Sequence, residues 1–183
     1  MKHLSLPRFA IALVIALVSA GVVAIQNPQQ PPTPGPEVKK LDYFAGDWKS
    51  EGEIKPGPMG PGGKFSGTEH NEWMPGGFFL LSHSTETSSM GNGTGVGVYG
   101  YDRDKKVYTF DEFNSAGETV HAKGTLAGDT WTWTSDEMMQ GKMTHGRYTV
   151  KVTSPTAYTF KLEFQPEGGT WANVFEGKAT KTK

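Results

Sequence analysis

After Ala45 no stretch of the chain carries apolar residues at the i, i+3, i+4, i+7 spacing of a helix face. Apolar and polar side chains alternate instead, and turn residues return every eight to twelve positions. Tyr158–Phe164 (YTFKLEF) and Trp131–Thr134 (WTWT) are the cleanest examples. The pattern predicts strands over 49–55, 64–74, 78–86, 95–101, 106–114, 118–126, 130–136, 142–153, 157–165 and 170–181. Connections this short leave no room for crossovers, so the strands form an antiparallel meander. A sheet of about ten strands must split into a sandwich or curl shut, and closure removes its edges. The expected fold is all-β: a single up-and-down barrel of about ten strands.

The barrel is entered through Leu41–Ile54 (LDYFAGDWKSEGEI). A short helical approach, Val38 to Phe44, leads into Gly46-Asp47-Trp48, and a strand leaves through Lys49–Ile54. Trp48, with Tyr43 and Phe44, is expected to plug one end of the barrel as core. In a meander successive loops alternate between the two ends. The plugged end then receives the tight turns at 75–77, 102–105, 127–129 and 154–156. The other end receives 56–63, 87–94, 115–117, 137–141 and 167–169. The first, second and fourth of these are longer and glycine-rich, and they hold Met59, Met90, Met138 and Met139. Thioether side chains adapt to varied apolar surfaces, so these four are the candidate ligand contacts of an open, mobile mouth.

Residues 1–24 read as a cleaved signal peptide: Lys2, His3 and Arg8, then the apolar run Phe9–Val18, then Val22-Val23-Ala24 as the cleavage site, with Ala20 as an alternative. The apolar run Phe9–Ile25 is short beside the roughly 20 residues of a spanning helix, which leaves an uncleaved anchor as the other reading. Residues 25–36 are a proline-rich spacer. Residues 37–183 are the folded domain. Losing Lys2 and Arg8 moves the formal charge from −1 to −3, so there is no basic footprint for nucleic acid. With no cysteine, there is neither a disulfide framework nor a lipid-attachment thiol. These features predict an exported bacterial protein, periplasmic or secreted, with no stable membrane insertion once the signal is removed.

No catalytic constellation emerges. GVGVYG (Gly95, Gly97, Gly100) spells the dinucleotide fingerprint, but it lies within a strand, without the helix N-terminus that receives a pyrophosphate. Asp102-x-Asp104 begins like a calcium loop but has Val107 where glycine is required. Asp111-Glu112 and Asp136-Glu137 split across the two faces of their strands, and Glu69 and Glu72 also point opposite ways. His70 and His83 flank the 75–77 turn; they face each other in one hairpin register, while in the other His70 faces Leu81. Met138, Met139, Met143 and His145 offer soft donors suited to Cu(I), although adjacent Met138 and Met139 point to opposite sides of a strand.

LDYFAGDW, GTEHNEWMPGGFFLL, GVYGYDRDKKVYTF and FEGKATKTK, in that order, resemble the bacterial domain of unknown function 1579 family over Leu41–Lys183. The Gly-x-Trp opening also resembles lipocalins and other calycins. The resemblance implies a calycin-like barrel and an exported protein, with no established activity. Nitrobindin-type haem barrels are more distant relatives, and in them a histidine near the C-terminus holds the iron. Here no histidine follows His145, so no haem residue is assigned and no cofactor is expected. The expected function is non-enzymatic binding of a small apolar or amphipathic ligand inside or at the mouth of the barrel. The alternatives are a haem- or copper-binding redox barrel and a filled barrel that acts through its surface. On the second strand Phe65 and Trp73 share a face opposite His70 and Glu72, which predicts Trp73 in the core.

Overall fold

The computed structural model describes residues 32–57, 60–139 and 141–182. The expected signal sequence (1–24), the first part of the expected spacer and Met59 lie outside the described residues. Pro36–Lys39 forms a single helical turn (α1), with proline at its first position, where the missing N–H costs nothing. A 3-10 turn, Lys40–Tyr43, continues it. Ten strands follow: β1 Gly46–Ile54, β2 Gly63–Trp73, β3 Leu80–Ser88, β4 Gly91–Asp102, β5 Val107–Asn114, β6 Thr119–Ala127, β7 Thr130–Met139, β8 Lys142–Ser154, β9 Ala157–Pro166 and β10 Ala172–Lys181. Each pairs antiparallel with its chain neighbour, and β1 pairs with β10 to close the barrel. The meander read from the alternation is the fold.

Two strand pairs run further than the alternation showed. β3 and β4 remain paired from Thr85↔Thr94 out to Ser88↔Gly91, leaving only Ser89-Met90 as the turn. β7 and β8 remain paired out to Met139↔Lys142. The long methionine-bearing loops expected at 87–94 and 137–141 are therefore hairpin ends. A ladder needs only backbone N–H and C=O groups, so Thr, Ser, Asn and Gly extend it without any hydrophobic signal.

The helical segment seals one end. Val38, Leu41 and Phe44 are buried. The Phe44 carbonyl, left without a helical partner at this terminus, accepts from Trp48 Nε1 at 2.8 Å and from Asn71 Nδ2 at 2.9 Å. Tyr43 donates its hydroxyl to Ala157 O at 2.8 Å, and Trp73 Nε1 donates to Asp42 Oδ1 at 2.6 Å. Trp73 packs against the core, as its strand parity predicts. The spacer's end joins this face too: Arg103 donates to Thr33 O. Above the plug Trp48, Leu80, Tyr108, Trp131, Trp133, Val150, Tyr158 and Phe160 fill the closed half. Each contributes on the order of 2–3 kcal/mol by burial.

Glycines let these large rings lie flat against the wall. Trp133 covers Gly124, Phe110 covers Gly97, and Phe65 and Phe160 cover Gly52 and Gly177. Gly52 and Gly177 stand directly opposite each other on the closing seam. The glycines of GVGVYG thus serve close packing within a strand.

Candidate functional site

The inner faces of the strands change character toward the unplugged end. There, apart from Phe65, the inward positions of β2 to β5 are polar or glycine: Glu69 and Gly67 on β2, Ser82, Ser84 and Glu86 on β3, Gly95 and Gly97 on β4, Glu112 on β5. The facing wall, from β8 to β10, is apolar: Tyr148, Leu162, Phe164 and Phe175. Glu69, Glu86, Glu112, Tyr148, Leu162, Phe164 and Phe175 keep part of their accessible surface although they point inward, whereas Ile54, Phe65 and Thr144 beside them are buried. The interior toward this end, the chamber, is therefore acidic and small on one wall and aromatic on the other.

Among the described residues no cation pairs with Glu69, Glu86 or Glu112. Burial pushes Glu69 up, although Ser82 Oγ donates to its Oε1 at 2.9 Å. Burial also raises Glu112, and the negative charges of Glu69 and Glu86 raise it further. The Glu112 carboxylate lies over Gly95 beside Ser84, where a β-carbon on Gly95 would come within 2.7 Å of both. Burial raises Glu86 as well. Burial pushes the Tyr99 and Tyr148 hydroxyls up, with the Glu69 charge adding to the effect. The accessible area that Glu69 retains opens into the barrel rather than onto bulk water, so it does not offset this desolvation. Asn71, on the same face of β2, is buried with its Oδ1 unpartnered among the described residues.

These carboxyls set the pH dependence of stability. An acid raised on folding holds its proton more tightly in the native state, so folding is favoured by acidification. That contribution is complete below the ordinary value of 4.5 and is lost as pH rises through the raised native values. Asp102 acts oppositely in more acidic solution, because the Lys105 backbone N–H and ammonium hold it low. The melting temperature is expected to rise between neutrality and about pH 5 and to fall below that. Calorimetry across this range checks it. The Glu69→Gln/Glu112→Gln double variant should be flatter in pH and more stable at neutrality by about 1–3 kcal/mol.

The sequence-predicted methionines do not converge. Met90 sits exposed at the β3–β4 tip, beside Gly60 of the β1–β2 connection. Met139 lies on the inner face at the rim, opposite Lys142. Met138 points outward, opposite Met143, and is 65% exposed. His70 pairs with His83, which settles the hairpin register left open by the sequence. His70, His83, His121 and His145 all stand on the outer face, so none is placed to ligate a haem in the chamber. Among the described residues no group of three or more His, Cys, Asp or Glu side chains is arranged to hold a metal ion. Sequence reasoning missed the chamber carboxyls. Glu69 shares strand parity with Phe65 and Trp73, and that signal alone turns it inward.

A family model described as "Protein of unknown function (DUF1579)" matches residues 33–181. The chain belongs to this family. No curated protein matches it. Among solved structures it is similar to Rv2717c from M. tuberculosis, with 12% identity and a TM-score of 0.61 over 81% of this chain and 99% of that one. It is also similar to the S-type phycobiliprotein lyase CPES from Guillardia theta, with 8% identity and a TM-score of 0.54 over 79% and 92%. At these identities the likeness shows the fold alone, a calycin-like barrel, and gives no sign of catalysis in this chain.

Proposed function

We propose that this barrel carries a small amphipathic molecule in its chamber. The apolar body lies against Tyr148, Leu162, Phe164 and Phe175, and the polar end faces Glu69 and Glu112. The observation that carries this reading is the division of the interior: Glu69, Glu86 and Glu112, none of them fully buried, face the partly accessible Tyr148, Leu162, Phe164 and Phe175, whereas Trp48, Leu80, Trp131, Trp133 and Val150 are sealed in the plugged half. A concave apolar site with a few convergent polar groups is the form small-molecule sites take. The solved lyase of similar fold gives the reading context without supplying a ligand. Glu69, Glu86 and Glu112 are arranged as a polar wall, and binding without chemistry accounts for it. In this reading the chain is exported, and the mature protein begins after the signal at 1–24.

Native mass spectrometry of the protein purified from its host, without refolding, tests both parts. The expected spectrum shows a mature chain lacking the leader and carrying an extra mass that is lost on denaturation. Titration with the neutral fluorophore N-phenyl-1-naphthylamine should saturate at one probe per chain. Leu162→Trp, which places a ring in the chamber, should weaken the probe about tenfold or more, about the 1.4 kcal/mol that each tenfold represents. Thr159→Trp, on the outer face of the same strand, should leave it unchanged. Equal effects from the two variants, or no bound mass and no probe binding, would overturn the chamber reading.

A further inference from the structure

Three histidines on the outer face make the same cross-strand contact with an aspartate directly opposite. His70 Nδ1 meets Asp47 Oδ1, His121 Nδ1 meets Asp111 Oδ1, and His145 Nδ1 meets Asp136 Oδ1, each at 2.6 Å. In each case the carboxylate fixes the ring through Nδ1, the arrangement that orients a ligating imidazole. The neighbours on the next rung differ. Beside His121 they are Thr119 and Phe113; beside His70 they are Thr68 and Thr85 on one side, Glu72 and Leu81 on the other. Beside His145 they are Met143, two residues along its own strand, and Met138 directly opposite that methionine.

We propose that Met138, Met143 and His145 form a site for a soft monovalent ion, Cu(I), on the outer face of the β7–β8 hairpin. Opposite residues in an antiparallel pair have β-carbons roughly 5 Å apart. Successive residues on one face of a strand lie about 7 Å apart. The flexible thioether arms span such gaps, so two sulfurs and Nε2 of His145 can meet at one point. Thioether sulfur with imidazole nitrogen selects Cu(I) over harder ions. Asp136 is a positioning residue that holds the imidazole tautomer with Nε2 free to ligate. The sites at His70 and His121 share the aspartate but lack sulfur, which makes them internal controls. Met139, adjacent in sequence to Met138, faces the barrel interior and takes no part. A large apolar side chain left 65% exposed at Met138 is also accounted for if its sulfur is a ligand.

The test uses the full-length protein with Ag(I), a diamagnetic stand-in for Cu(I), and competition for Cu(I) itself against a chromophoric chelator. The expected result is that Ag(I) shifts the methyl resonances of Met138 and Met143 and the ring signals of His145, and leaves Met90, Met139 and His121 in place. Met138→Leu/Met143→Leu should remove the tight Cu(I) site, and Asp136→Asn should weaken it about tenfold. Met139→Leu and His121→Gln should change nothing. These positions lie outside the core, so circular dichroism should show an unchanged fold. Absence of binding, binding unaltered by the double methionine variant, or equally tight binding of Zn(II) would each overturn the proposal.

Discussion

Replacing Gly177 by valine is expected to prevent the barrel from closing. Gly177 and Gly52 face each other across the β1–β10 seam, backbone against backbone. A β-carbon on Gly177 would overlap the Glu51 carbonyl oxygen and lie 2.7 Å from Phe160 Cζ and 3.0 Å from the Gly52 α-carbon. A β-carbon on Gly52 would likewise overlap Glu176 O and lie 2.7 Å from Phe65 Cε1. Backbone cannot yield as a side-chain tip can, so the strands must separate. Overpacking of a core typically costs about 1–3 kcal/mol; here it also breaks the β1–β10 ladder that closes the ring, and the loss should exceed that range. Opened edges are templates for pairing with other chains. Size-exclusion chromatography of Gly177→Val should therefore show oligomers or aggregate, with early exchange of β1 and β10 amide hydrogens. Gly93→Ala is the control: a β-carbon there meets nothing within 4 Å, and the variant should melt within a degree or two of the parent. A monomeric Gly177→Val with an unchanged melt would show that the seam tolerates separation.

The second large effect is at Trp48. It is 2% exposed, its indole contacts the rings of Tyr43 and Tyr158, with centroids at 5.6 and 4.9 Å, and its Nε1 donates to the Phe44 carbonyl. Trp48→Ala removes this packing and leaves a cavity under the helical plug, at a cost of about 3–5 kcal/mol. In a domain of this size that corresponds to a fall of roughly 10 °C in melting temperature. Trp48→Phe keeps most of the apolar volume and loses the indole donor. Phe44 O still accepts from Asn71 Nδ2, so the cost should be about 1 kcal/mol, one net hydrogen bond. Thermal melts of the two variants separate packing from hydrogen bonding. Equal losses would mean that the plug is held by the indole N–H rather than by its fit.

Much of this architecture was legible one residue at a time. Alternation in strands such as Tyr158–Phe164 revealed ten strands, because a side chain's face depends only on parity along its own strand. The glycines and prolines between them marked tight turns, and the helical entry into Trp48 marked the plugged end. Trp73 was placed in the core by the same parity. The ends of β3, β4 and β7 were not legible. The terminal residues of β3 and β4 are polar or glycine, those of β7 are the adjacent Met138 and Met139, which set no alternation of their own, and a backbone ladder leaves no trace in the side-chain pattern.

The sequence by itself determined what each strand presents to either side: Glu69 on the face of Phe65, Glu112 opposite Asp111, Met138 opposite in direction to Met139. Only the tertiary structure decided which of these meet. The acidic wall joins residues of β2, β3 and β5, and the Met138–Met143–His145 group depends on the register of one hairpin. Shifting that register by a single residue would carry every side chain of one strand to the other face of its partner's pattern. Parity is a property of one strand, whereas juxtaposition is a property of pairing and closure. The ring closes here because two glycines far apart in sequence leave β1 and β10 room to touch.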